Sequence, residues 1–302
     1  MDASLVIPVY NNWHYVHRLL GGIDTTSLSA LDVVVVDDAS TEPGLDALLR
    51  EFPSVRGIRH DQNGGFAAAV NTGVNASTGD VVLLSNSDIE VDGDVLEKLT
   101  ALAEKHPLAI FAPATHRVNG EPIQIAHRFP TPFRQTLELH VLFRLLRRAG
   151  VASVSRKDWM VGSFLAFHRN VWSLVGELDE GYGMYSEEVD WQVRAAARGV
   201  QRVYVPDVFV VHDESQGAGR YTAATERRFF AVWRARVRYF RKHGGRLGIL
   251  RLRLGWLLAS TLNVPTWSLA SVVPALRGPA LNELRRSRLL VRESARRKPF
   301  GQ

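Results

Sequence analysis

The chain has 302 residues, 46% hydrophobic and 23% charged, a balance that excludes large-scale disorder and suits one large domain or a domain with an appendage. It contains no cysteine, which excludes disulfides, thiolate zinc sites and a cysteine nucleophile, and fits a reducing compartment. The formal net charge of +6 conceals an asymmetry: residues 217–302 hold 19 Lys and Arg against 3 Asp and Glu, while residues 1–216 hold 18 against 28, so an acidic body precedes a basic tail.

The opening residues, MDASLVIPVY, enter a strand at once and lack a basic region followed by a long apolar one, so no signal peptide is expected. Residues 4–8 read as a first strand and 11–20 as a helix. A second strand spans 31–36, where four valines in a row suit burial on both faces of a sheet. A helix over 45–52, a strand over 55–59, a helix over 65–76, a strand over 80–84, a helix over about 95–106 and a strand over 108–112 follow. This alternation predicts βαβ units in a mostly parallel, doubly wound α/β sheet. Between 119 and 155 the prolines 122, 130 and 132 precede a basic amphipathic stretch, LELHVLFRLLRRAG, expected to be an insertion over the site. KDWMVGSFLAFHR then resumes strand character, 186–198 reads as a helix ended by Gly199, 203–211 as one or two strands, and the chain beyond 219 as helical.

Polar stations follow three of these strands: Asp37-Asp38, Asn86-Ser87-Asp88 and His212-Asp213-Glu214. Open α/β sheets bind ligands at the carboxyl ends of their strands, so the three stations are expected to share one crevice. A carboxylate and an imidazole that converge can hold a divalent cation, and Mn²⁺ suits such mixed oxygen and nitrogen ligation better than Ca²⁺.

Six pieces stand in order: VIPVYNN at 6–12, VVVDDAS at 34–40, NGGFAAAVNTG at 63–73, LLSNSD at 83–88, VGSFLAFHR at 161–169 and ELDEGYGMYSEEVDWQVRAAARG at 177–199. Together they resemble the family 2 glycosyltransferases of GT-A fold, over about residues 3–215. The resemblance implies that Asp38 accepts the N3–H of uracil or thymine, a donor that an ionised carboxylate pairs with and that cytosine lacks. Asp37 then shapes the loop, and the expected donors are dTDP- or UDP-sugars. By the same analogy Pro8 and Tyr10 line the pocket, and Asn63, Gly65 and Asn71 stand beside the nucleotide. A glycine turn followed by a helix with a buried Asn71 is the plainer alternative.

Asn86 and Asp88 stand where the family keeps its metal motif, so the resemblance makes Asp88 a ligand of Mn²⁺ or Mg²⁺, and His212, in V-H-x-x-S-x-G, the residue that completes the site. The family usually has Glu-Asp at the segment YSEEVDW, with the Asp as general base. Here Glu188 takes that place, Glu187 is the reserve and Asp190 an orienting residue, although acidic residues in a first helical turn are also favourable against the dipole. Trp159, Gly162 and Ser163 match the acceptor side.

The tail is rich in arginine, and residues 254–276 carry no charge for 23 residues, long enough to span a bilayer. Pro265, Pro274 and Asn263 within it favour a helical hairpin lying in the interface. Basic residues beside an apolar face suit an anionic membrane, whereas no nucleic-acid motif or stacking platform accompanies the charge. The expectation is a peripheral enzyme at the cytoplasmic face of the cell membrane, moving a sugar to a lipid-linked saccharide, with homo-oligomer formation left open. The ending looks most like that of actinobacterial rhamnosyltransferases, which suggests dTDP-rhamnose. A nucleotidyltransferase and a catalytically silent glycan-binding scaffold are the alternatives.

Overall fold

The computed structural model describes residues 2–141, 158–213, 223–296 and 299–301. Two compact units emerge, one of Met1–His127 with Lys157–Gly219 and one of Arg128–Arg156 with Arg220–Gln302. The segment expected as an insertion in the first domain therefore contributes mostly to the second unit. Residues 142–157 of that segment, and Glu214 to Gly217 of the histidine motif, lie outside the described residues.

In chain order the first unit runs β1 (Ala3–Val9), α1 (Trp13–Gly22), α2 (Thr25–Ser29), β2 (Asp32–Asp37), α3 (Leu45–Glu51), β3 (Arg56–Arg59), α4 (Phe66–Ala76), β4 (Val81–Ser85), β5 (Ile89–Glu90), α5 (Gly93–Lys105), β6 (Ala109–Arg117), β7 (Pro122–Ile123) and β8 (Ala126–His127). After α6 (Pro132–Leu139) of the second unit, it resumes with β9 (Trp159–Met160), β10 (Phe164–His168), α7 (Arg169–Val175), a 3₁₀ turn at Glu180–Tyr182, α8 (Glu187–Ala197) and β11 (Gln201–His212). The second unit is completed by α9 (Ala223–Ala270), broken at Gly245, and α10 (Arg277–Ser294).

The main sheet has the order β3-β2-β1-β4-β10-β6-β11-β5, with β7 paired to β6. β1, β2, β3 and β4 pair in parallel, β10 is antiparallel to both β4 and β6, and β11 is parallel to β6. Every residue of β1 and β4 is buried because helices cover both faces, as the unbroken apolar runs require. The strands still alternate between two cores. Leu5, Ile7, Val33, Val35 and Leu83 pack with α1, α3 and α5 on one face, and Val6, Val82 and Leu84 pack with α4, α7 and α8 on the other.

The direction of β10 matters most for the site. Since Phe164 of β10 pairs with Ser85 at the end of β4, the turn that leads into β10 lies at the same edge as the carboxyl ends of the parallel strands. The strand region expected over 203–211 is one strand, β11, bulged between Val205 and Phe209 where Pro206 cannot donate to the ladder.

In the second unit, α9 resumes after Gly245 (φ 57°) and runs through Pro265 to Ala270. The stretch 254–276 is therefore a helix and its terminal turn, not a hairpin in itself; the reversal comes through Pro274–Leu276 into α10. Asn263 ties α9 to the end of α6 by donating to the Leu139 carbonyl at 2.7 Å and accepting from the Val141 amide at 2.9 Å. Among the described residues no helix is long and apolar enough to cross a membrane.

Candidate active site

Three clusters form where the parallel strands end. The first is built on the acid pair after β2. Asp37 is fully buried: its Oδ1 accepts the Ser40 amide at 2.8 Å and its Oδ2 takes the Arg59 guanidinium at 2.7 Å. Arg59 stands opposite Asp37 in the β2–β3 register, so the strand pairing itself delivers this partner. Asp38 points elsewhere. Its Oδ1 accepts the Gly64 amide and its Oδ2 the Gly65 amide, both at 2.8 Å, and Nδ1 of His60 lies 2.9 Å from Oδ1. A carboxylate oxygen accommodates about two donors, so Oδ2 keeps capacity for one more.

The backbone around this cluster is specialised. Asn11, Asn12 and Ala39 have positive φ, a conformation uncommon outside glycine and concentrated at functional sites. Oδ1 of Asn11 accepts the amides of Thr41 and Glu42, which fixes the loop after the acid pair against the end of β1. Pro8 is buried in β1, and Tyr10 is half exposed just beyond it. Asn63 donates to the Asp38 carbonyl at 3.1 Å. Gly65, at φ 85°, meets the carbonyl of Gly183 so closely that no side chain fits. Asn71, expected beside the nucleotide, is buried and bonds both backbone groups of Leu178 and the Glu180 carboxylate, each at 3.0 Å.

The second cluster gathers Asn86, Asp88 and His212. Nε2 of His212 lies 3.2 Å from Oδ2 of Asp88, and the Asp213 amide donates to the Asp88 carbonyl at 3.0 Å. Arg18 on α1 holds Asp213 at 2.9 Å and Glu90 at 3.0 Å. Two ligands at adjacent corners of an octahedral ion, each about 2.1 Å from it, stand about 3.0 Å apart, so this pair fits a shared divalent cation. Among the described residues no third His, Cys, Asp or Glu converges there, and a bound ion would need oxygens from a ligand. Oδ1 of Asn86, two residues before Asp88, is buried with no hydrogen-bond partner.

The third cluster lies at the start of α8. Tyr185 and Ser186 both have φ near 70°, and Ser186 occupies the cap position with no side-chain cap bond. Glu187 is buried with Oε2 unpartnered, and burial first, then the neighbouring charge of Glu188, raises its pKa well above the ordinary range. Glu188 is only partly buried and packs over Gly162, where an added Cβ would stand 3.2 Å from its own Cβ. Asp190 is fully buried, accepting from Nε of Arg194 at 2.9 Å and from the Tyr182 hydroxyl at 3.3 Å. It braces the loop before α8.

Backbone bonds join the clusters. The Asn86 amide donates to the Ser163 carbonyl at 2.9 Å, connecting the second cluster to the Gly162-Ser163 turn under Glu188. The Phe66 amide donates to the Gly183 carbonyl at 3.1 Å, connecting the first to the third. Trp159 is buried in the small β8–β9 sheet and stacks on His127 at 5.1 Å.

Arg59, His60 and Gln192 carry weight that no motif announced. Gln192, fully buried on α8, bonds both backbone groups of Met160 and so fixes the helix of the third cluster against β9. The only sequence signal for Arg59 and His60 was their position at the end of the strand paired with β2.

The sequence model described as Glycosyl transferase family 2 matches residues 4–160. An N-acetylglucosaminyl-diphospho-decaprenol L-rhamnosyltransferase of Mycobacterium tuberculosis is 26% identical over 246 residues, 74% of this chain and 80% of that protein. A pre-mycofactocin glycosyltransferase of the same organism is 32% identical over 70% of this chain, which spans only 43% of that longer protein. Among solved structures, the mannosyltransferase PcManGT from Pyrobaculum calidifontis, in complex with GDP-Man and Mn²⁺, superposes with a TM-score of 0.56 at 16% identity, covering 98% of this chain and 88% of that one.

Proposed function

The chain belongs to glycosyl transferase family 2 and has the GT-A fold, and on that premise we propose that it transfers rhamnose from dTDP-rhamnose, or the sugar of a related dTDP- or UDP-donor, with inversion. The acceptor is a lipid-linked saccharide, reached by peripheral attachment at the cytoplasmic face of the membrane. The likeness to the decaprenol-linked rhamnosyltransferase supports the sugar and the acceptor, and the basic second unit supports the attachment.

One observation carries the reading. The Asp88–His212 pair stands two residues beyond Asn86, whose backbone amide is bonded to the Ser163 carbonyl in the turn on which Glu188 rests. Asp88 and His212 are the residues that would hold Mn²⁺ or Mg²⁺, and the ion would supply charge neutralisation at the departing nucleoside diphosphate. The remaining oxygen capacity of Asp38 takes the imide N–H of the base. Glu188 removes the proton of the acceptor hydroxyl as it attacks the anomeric carbon from the side opposite the diphosphate. Glu188 is the better base because it is only partly buried and rests on the Gly162-Ser163 turn, whereas Glu187 is buried, with its pKa raised by burial first and the charge of Glu188 second.

Incubation with Mn²⁺ and a panel of sugar nucleotides, with and without membrane extract, tests this. The expected result is nucleoside diphosphate release from a dTDP- or UDP-sugar, accelerated by the extract. Release of inorganic diphosphate from dTTP or UTP with a sugar phosphate would instead identify a nucleotidyltransferase, and binding without turnover a silent scaffold.

A further inference from the structure

The C-terminal half of α9 carries apolar side chains on two sides, one covered and one exposed. A helix on a water-exposed surface turns its leucines inward and its polar residues outward. Here Leu250, Leu254, Leu258, Leu262, Leu269 and Val272 recur at helical spacing and are 49–77% exposed. The opposite side is covered, with Leu252 and Trp256 fully buried beside small and polar residues. Gly255 packs so closely on α6 that a Cβ would overlap Thr136, Ala259 and Ser260 are buried, and Asn263 makes the two backbone bonds to Leu139 and Val141. The covered side accounts for the packing of α9 within its unit, and the second, uncovered strip of leucines calls for another partner.

Two further facts select the occupant. No helix among the described residues is long and apolar enough to cross a membrane, and the other side of α9 is already covered by Leu252, Trp256 and Ala259 in the unit's own core. The uncharged run 254–276 is bracketed by Arg246, Arg251 and Arg253 before it and Arg277, Arg285 and Arg288 after it, with Arg251, Arg277 and Arg288 exposed. A flat apolar strip between cationic ends complements acyl chains beneath anionic headgroups.

We propose that the outward face of α9 from Leu250 to Leu269, with Val272 of the turn after it, is embedded in one leaflet of an anionic bilayer, with the helix lying in the membrane plane. The proposal rests on the attachment stated above and not on the transfer chemistry.

The absence of cysteine permits a clean test. Leu258→Cys, Leu262→Cys and, as a control in the first unit, the exposed Val118→Cys are each labelled with a polarity-sensitive fluorophore and mixed with phosphatidylglycerol vesicles. The two α9 labels should shift to the blue, keep the shift in high salt and be quenched by brominated acyl chains, and the Val118 label should do none of these. The triple variant Leu254→Ser, Leu258→Ser, Leu262→Ser should bind these vesicles about tenfold or more weakly in high salt with its far-UV circular dichroism unchanged. Vesicle binding without a blue shift and fully reversed by salt would overturn embedding while leaving electrostatic attachment in place. A blue shift without vesicles that grows with protein concentration would assign the face to a second copy. No vesicle binding at all would overturn both embedding and attachment, whereas nucleoside diphosphate release reports on the transferase reading alone.

Discussion

Nε2 of His212 lies 3.2 Å from Oδ2 of Asp88, so the end of β11 and the loop after β4 present two metal-binding groups to one point. Asp88→Asn and His212→Gln should each weaken Mn²⁺ binding by at least about tenfold, since even outer-shell losses cost that much. Electron paramagnetic resonance of free Mn²⁺, titrated with protein and nucleoside diphosphate, reads this without turnover. Wild-type Mn²⁺ affinity in both variants would remove the pair from the metal site.

The acid pair should separate by phenotype. Asp38→Ala should abolish donor-nucleotide binding measured by calorimetry. Asp37→Ala should leave binding intact in the folded protein but lower stability by about 1–3 kcal/mol, less than a fully buried pair costs because Arg59 is half exposed. Equal loss of nucleotide binding in both variants would defeat the division of roles.

Glu188→Gln should reduce kcat by about a hundred- to ten-thousandfold with donor affinity nearly unchanged. A variant that turns over at the wild-type rate would exclude Glu188 as the base.

Glu187 makes a prediction about pH. Its carboxyl ionises near 4.5 in an ordinary setting and well above that in the folded chain, through burial first and the charge of Glu188 second. The stability gained by keeping it neutral is complete below the unfolded value and is lost as pH rises through the folded one. Glu187→Gln should therefore match the wild type in acid and become relatively more stable as pH rises, read from urea midpoints across that window. Parallel pH curves for the two proteins would contradict the assignment.

Much of this was legible in the chain. The valine run before Asp37 required a strand covered on both faces, and the polar stations after 36, 85 and 211 follow from where such strands end. The elements that no pattern announced include β5, β7 and β8, at two residues each, and α2 and α7, at five and seven, too short to carry a period. The partnership of residues 128–141 with the tail depends on Asn263, a contact between distant segments that no local pattern announces. His60 and Arg59 were hidden for a related reason: a single polar residue has no spacing, and its meaning comes from the strand beside it. Asn71 shows the reverse, since a motif position suggested a ligand contact where the fold uses the amide to hold residues 178 and 180.

The close approach of Gly65 to Gly183 limits how this enzyme could be redesigned. The Gly65 amide holds Asp38, while the next residue, Phe66, is bonded to the loop that enters the helix of Glu187 and Glu188. A graft meant to change the nucleotide base preference cannot exchange residues 63–66 alone, because a new side chain at 65 would push on the loop that sets the carboxylates. Asp38, residues 63–66 and Gly183 therefore form one transplantable block, and chimaeras that split it should trade donor choice against turnover.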